Sequence, residues 1–335
     1  MLDDDIPPSD LDIREPMPTD KDEYQSKFES SALVQGYSHV CHYYLKNGAA
    51  QKLQTLNIKQ ILHCLLSFGS YYISFQYLRP FLDQVYELIF TDPDIKLKSL
   101  CMRILSFYAK KSKAGLFFSL NKPNFPSLFN VNNDMEFVNS LLSFIHRALK
   151  QFSYLPHETS LFFIQFVVSL FDCNDDHVSN HAIYAISKGT YGGEIFSEFC
   201  LTNLITTKLF QIVYNTNTFE KQTNAVRAIC DLFSVSSEVV AEEMAKMGFF
   251  QVLHDYFEPT ANILMKSLLN AVNKALEIAD LNPNFENWKE IIFADDEILN
   301  TIEKYAPERG HVGDYSVNSY EVLAYSILMQ SMQFG

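Results

Sequence analysis

The sequence predicts an all-α chain built by repeating one helical unit, and three observations carry that reading. Apolar residues recur at helical rather than strand spacing, the helical pattern returns about every 42 residues, and glycine (11) and proline (12) are too scarce in 335 residues for a turn-rich β protein.

The repeat is clearest over residues 166–190, FVVSLFDCNDDHVSNHAIYAISKGT, and 209–233, LFQIVYNTNTFEKQTNAVRAICDLF. Each is an apolar helix, a short polar break and a second helix with small residues at helical spacing. Ala182 and Ala225 take equivalent places. Leu141, Cys101 and Ile58 upstream and Leu268 downstream take the same place, so successive markers are 43, 40, 41, 43 and 43 residues apart. Residues at 0, +3, +4 and +7 from each marker share one side of a helix. They read Ile58-Ile61-Leu62-Leu65, Cys101-Ile104-Leu105-Tyr108, Leu141-Phe144-Ile145-Ala148, Ala182-Ala185-Ile186-Gly189, Ala225-Ala228-Ile229-Leu232 and Leu268-Ala271-Val272-Ala275. None is charged, and each set predicts a buried stripe. Pro93 and Pro259 fall in the predicted break before a stripe helix, where a proline does least harm. Gly248, between two apolar helical patterns, reads as a helix C-terminal glycine. The stretch Asn121–Asp134 interrupts the array and predicts shortened helices around it.

Residues 223–256, TNAVRAICDLFSVSSEVVAEEMAKMGFFQVLHDY, resemble an armadillo repeat junction. In that family a helix ending in an A-x-x-A-L-x-x-L pattern is followed by a short first helix, a small-Gly turn and an apolar second helix. HEAT-type repeats are similar at this level. The resemblance is clear over residues 160–280 and weaker over 55–150. It implies a right-handed α-α superhelix, an armadillo-like solenoid of about six repeats. The expected organisation is a disordered acidic tail over residues 1–30, a repeat array over 31–283 and a C-terminal helical cap over 284–335. Residues 31–56 would cap the array at the other end, and the C-terminal cap would include Trp288 and the helix-like run Tyr315–Gln333, since solenoids need caps at both ends.

The net charge is −14. Residues 1–30 carry ten acids against Arg14, Lys21 and Lys27, half of that net charge, together with four prolines. Such a segment buries too little apolar area to offset its chain entropy. Excess negative charge disfavours nucleic acid as a partner. The N-terminus lacks a basic-then-apolar leader, and the longest apolar run, Ser160–Phe171, falls short of the roughly 20 residues that span a bilayer. No membrane association is expected, and a cytoplasmic or nuclear location is the default. The six cysteines, Cys41, Cys64, Cys101, Cys173, Cys200 and Cys230, are scattered as free core thiols are.

In armadillo proteins the third helix of each repeat lines a concave groove. Here the places at +2 and +6 beside each stripe are the candidate lining: Gln60/Cys64, Arg103/Phe107, Ser143/Arg147, Tyr184/Lys188, Arg227/Asp231 and Asn270/Lys274. The importin-α subgroup carries tryptophan at +2 and asparagine at +6, which none of these pairs reproduces. Five successive pairs instead contain Arg or Lys, with Asp231 the one acid, against the negative trend of the chain. The β-catenin type of groove is similar in holding acidic extended peptides with basic residues. The expected function is therefore a non-catalytic protein-binding scaffold that holds an acidic extended segment. Arg103, Arg147, Lys188, Arg227 and Lys274 would pair with carboxylates, and Phe107 and Tyr184 would act as anchors. The plainer reading of the same residues is a solvated charged face. The alternative function is a regulatory solenoid that clamps a folded partner, as a chaperone co-factor or transport receptor does. The tail 1–30 either solubilises the chain or folds back on the groove.

Enzymatic chemistry is not expected, and no cofactor or metal is called for. Cys173, His177 and His181 have a spacing that could present ligands to zinc, but Cys173–Asp176 lies in a predicted break and reads better as a turn capping the next helix. Cys41-His42 and His63-Cys64 are adjacent pairs that diverge on a helix. Gly189–Gly193 lacks both phosphate-loop patterns and reads as a helix-ending turn.

Overall fold

The computed structural model describes residues 75–111, 113–130, 134–306 and 319–334. Outside these lie the tail 1–30, the expected cap 31–56, the first stripe from Ile58, the places Gln60 and Cys64, and the pairs Cys41-His42 and His63-Cys64. The described residues form α- and 3-10 helices, with no strand among them. They divide into two compact units, Met1–Ala148 and Leu149–Gly335.

In the first unit, α1 (Phe75–Thr91) packs on α2 (Ile95–Lys111), and α2 packs on α3 (Lys113–Leu120). The α1–α2 break falls at Pro93. Asp92 Oδ1 accepts the Asp94 N–H at 2.8 Å and Asp94 Oδ1 accepts the Lys96 N–H at 2.9 Å, so short acidic side chains start α2. The stripe Cys101-Ile104-Leu105-Tyr108 is buried, and so is Leu141-Phe144-Ile145-Ala148 on α4 (Met135–Leu149). Among the described residues between α3 and α4 is a 3-10 turn, Phe125–Leu128, whose Phe125 ring packs 5.1 Å from that of Phe144. Of the helices around this stretch, α3 is short at 8 residues and α4 runs for 15.

The second unit holds α5 (His157–Ser169), α6 (Asp176–Gly189), α7 (Glu194–Thr202), α8 (Ile205–Asn215), α9 (Phe219–Ser234), α10 (Glu238–Lys246), α11 (Phe249–Leu281), α12 (Asn287–Phe293), α13 (Asp296–Tyr305) and α14 (Ser319–Phe334). A short first helix, a second helix and a long third helix recur. They are α7-α8-α9, then α10 with α11, then α12-α13-α14. Helices α5 and α6 are the second and third helices of the preceding copy. Third helices layer on one another: α9 packs between α6 and α11, and α14 packs on α11. All twelve stripe residues of α6, α9 and α11 are buried, as the apolar spacing predicts. Polar bonds tie neighbouring copies. The Tyr256 hydroxyl donates to the Val213 carbonyl at 3.4 Å, and Lys221 donates to the Phe171 carbonyl at the end of the helix before α6. In the last copy Asp295 caps α13 through the Glu297 and Ile298 N–H groups and holds His254 of α11 at 2.8 Å. That hydrogen bond and the carboxylate charge raise the His254 pKa.

Two glycines are fixed by geometry. Gly248 has φ 101° and joins α10 to α11, the turn its position predicts. Leu204 makes the matching turn between α7 and α8 with φ 60°, the one non-glycine residue with positive φ among those described. Gly189 closes the α6 stripe because the chain reverses through Thr190–Gly192 and lays Phe196 of α7 across it. A Cβ at position 189 would stand 2.0 Å from Phe196 Cζ, and Phe196 is fully buried with nowhere to go. Gly189→Ala is expected to cost at least about 1–3 kcal/mol, the usual penalty for overpacking. An unchanged melting temperature would refute this packing.

One expectation is corrected. Pro259 does not break the chain; α11 runs unbroken for 33 residues, merging second and third helices. Proline removes only its own amide from the ladder, and the following Thr260 turns its hydroxyl onto the Tyr256 carbonyl four residues back. With helix on both sides packed against α9 and α13, the local defect is tolerated.

Candidate functional site

The most developed polar cluster lies on the third helices of the second unit. Tyr184, one turn before Lys188 on α6, is covered rather than exposed, with 7% of its surface accessible. Its cover is basic. Lys188 Nζ stands 4.5 Å from the ring centroid, and Arg227 Cζ, reaching across from α9, stands 5.1 Å from it. Two cations thus share one electron-rich ring, each contact contributing about 0.5–1 kcal/mol at a partly exposed site. Tyr184, expected as an aromatic anchor, is thus largely covered by the chain's own side chains. Lys188 and Arg227 both remain partly accessible.

Asp231 lies one turn further along α9. The Ser187 hydroxyl of α6 donates to its Oδ2, and Ser267 of α11 also hydrogen-bonds to it. Burial raises the Asp231 pKa, while the two serines and the nearby Arg227 and Lys188 charges pull it the other way. These bonds join three successive third helices. Sequence reasoning missed Ser187 and Ser267. The available signal was a small polar residue beside each stripe, which in a single helix looks like ordinary surface.

Asn270 and Lys274 are partly buried on α11, and Lys274 lies 3.8 Å from Glu277. In the first unit Arg103 and Phe107 of α2 are partly buried, and the Phe107 ring meets Tyr108 edge-on at 5.5 Å. Arg147 is a second correction. Expected as an exposed cation, it is 7% accessible in the last turn of α4, where a helix's negative end favours a positive charge.

The remaining candidates resolve into packing. Asp175 caps α6 by accepting the Val178 N–H at 2.9 Å, the role expected for the polar turn at Cys173–Asp176. No group of three or more His, Cys, Asp or Glu able to hold a metal occurs among the described residues. Cys101, Cys200 and Cys230 are buried free thiols whose pKa is pushed up chiefly by desolvation. No helix among the described residues is long and apolar enough to cross a membrane.

No family model matches the chain, and no curated protein sequence matches it. Solved structures do. A designed armadillo repeat protein is 16% identical over 74% of this chain and 98% of its own, with a TM-score of 0.53. Designed armadillo repeat proteins for modular peptide recognition are 13% identical over 70% and 98%, with a TM-score of 0.51. An engineered protein from a structural genomics programme is 15% identical over 76% and 97%, with a TM-score of 0.54. The fold is therefore an armadillo-like, all-α helical repeat.

Proposed function

We propose that this armadillo-like chain is a protein-binding scaffold that holds an acidic, extended segment along its third helices, in the concave groove the resemblance implies. The observation that carries this reading is the arrangement of Lys188 and Arg227 around Tyr184. Two cations are pre-positioned by one buried ring, while Asp231, the acid beside them, is tied up by two serines. Held side chains lose less entropy on binding than free ones. Lys274 and the Asn270 amide extend the same surface on α11, and Arg103 and Phe107 occupy the matching places on α2 of the first unit. Arg147 is left out because it is buried. The designed neighbours made for peptide recognition are consistent with this use of the fold. Binding without catalysis, in the cytoplasm or nucleus, completes the proposal.

A labelled Asp/Glu-rich peptide, titrated by fluorescence anisotropy beside its Asn/Gln counterpart, tests it. Saturable binding of the acidic peptide that weakens with salt is expected. Equal affinity for both peptides would reject the charge-based reading and favour a clamp on a folded partner. The acidic tail is a built-in competitor in this proposal. Deleting residues 1–30 is expected to raise affinity for the acidic peptide, and an unchanged affinity would leave the tail a solubilising segment.

A further inference from the structure

Three cations and one acid meet where α6, α9 and α11 stack. Lys188 Nζ and Arg227 Cζ stand 4.5 and 5.1 Å from the centroid of the Tyr184 ring. Both charges lie within 5.1 Å of one point, a spread that a single tetrahedral anion can bridge. Lys266 of α11 is the third cation. It is exposed, and it lies one turn before Asn270 on the same face of the helix. It also immediately precedes Ser267, which hydrogen-bonds to Asp231. Lys274 on the same helix lies 3.8 Å from Glu277, whereas Lys188, Arg227 and Lys266 form no ion pair with a described residue. Asp231 offsets one of these three charges, which leaves a local surplus of two.

That surplus says what fits. A carboxylate brings one charge on two oxygens and neutralises half of it. A phosphate monoester brings about −1.5 to −2 at neutral pH, on three acceptor oxygens. The Arg227 guanidinium is a planar fork that can take two of those oxygens, and a lysine ammonium is a point charge that suits the third. A phosphodiester, as in nucleic acid, carries a single charge per group, and a chain of net charge −14 repels a long polyanion.

Resting on the acidic-segment reading above, we propose that Lys188, Arg227 and Lys266 receive a phosphoserine or phosphothreonine of the bound segment. Phosphorylation of the partner then sets its affinity for this chain, while the flanking acids contribute steering and register.

Fluorescence anisotropy with the full chain and three versions of one labelled acidic peptide provides the test. They carry, at the central place, a phosphoserine, a pair of aspartates matching its charge, or a serine. The phosphoserine peptide is expected to bind at least about ten-fold tighter than the charge-matched one, since one further charge-assisted hydrogen bond suffices for that factor. Raising the pH from about 5 to about 7.5, through the phosphate's second pKa near 6, is expected to widen the gap. Asp231 acts alike on both peptides and cancels from the comparison. Lys266→Gln, a change at an exposed side chain, is expected to narrow the gap. Equal affinity for the phosphoserine and charge-matched peptides overturns the proposal and leaves the acidic-segment reading standing. So does a gap that neither pH nor Lys266→Gln alters, or inorganic phosphate that competes as well as the phosphopeptide does. Binding of none of the three peptides overturns that reading and this proposal together.

Discussion

Phe233→Ala is expected to destabilise the second unit by about 3–5 kcal/mol, the range for deleting a fully buried phenylalanine. Phe233 closes the third helix α9, and its ring stacks on that of Phe249, at the start of α11, with 3.7 Å between centroids and 3° between planes. Both rings are completely buried. Trp288 of α12 stands 6.0 Å from Phe233, 5.3 Å from Phe250 and 4.7 Å from Phe285. One aromatic cluster thus joins three successive copies of the repeat. In such arrays stability is the sum of repeat terms and nearest-neighbour terms, and Phe233 belongs to the second kind. Its loss should uncouple neighbours as well as open a cavity. Trp288 is the only tryptophan in the chain and is buried in the cluster, so its fluorescence during urea unfolding reports on this place. The expected result is a lower midpoint together with a shallower transition. Val239→Ala, at a side chain 69% exposed, serves as control and should shift stability by no more than about 0.5 kcal/mol. Equal effects from the two variants would refute the coupling role of the cluster.

The burial of Phe233 was only partly legible in the sequence, and the reason is instructive. Apolar spacing within one helix identifies the face that points inward, which is why the Ala225-Ala228-Ile229-Leu232 stripe could be placed by count alone. It does not show which residues are covered sideways by a helix about 43 positions away. Tyr184 is covered by Arg227 in this way, and the pairing of Phe233 with Phe249 and Trp288 likewise depends on how separate copies meet. Pro259 failed for a related reason. Proline's local preference for a break is worth about 3 kcal/mol, and packing on both sides of a long helix outweighs it. Gly248 succeeded because a positive φ is a strictly local demand. For the candidate site, the residue positions were legible, whereas their occupancy was not. The sequence marks Lys188 and Arg227 as neighbouring cations, and only the stacking of α6 on α9 puts both over one ring and gives Asp231 its serines.

Reversing both cations, in Lys188→Glu/Arg227→Glu, is expected to weaken acidic-peptide binding by about thirty-fold or more. A single hydrogen bond between charged groups contributes about 1.5–3 kcal/mol, and 2 kcal/mol corresponds to roughly that factor. Reversal should exceed simple loss, since it places two carboxylates beside Asp231. Arg147 is the instructive contrast. Although it occupies a matching place by count, it is buried, so Arg147→Glu should cost stability while leaving no specific mark on peptide affinity once folding is allowed for. Tyr184→Leu separates positioning from direct contact. It keeps an apolar filler but removes the ring that holds Lys188 and Arg227, and the expected outcome is a several-fold loss that falls mainly on the dissociation rate. Peptide affinity unchanged in Lys188→Glu/Arg227→Glu, with the variant folded by circular dichroism, would refute the proposed site. It would move the search for a partner surface to Arg103 and Phe107 in the first unit.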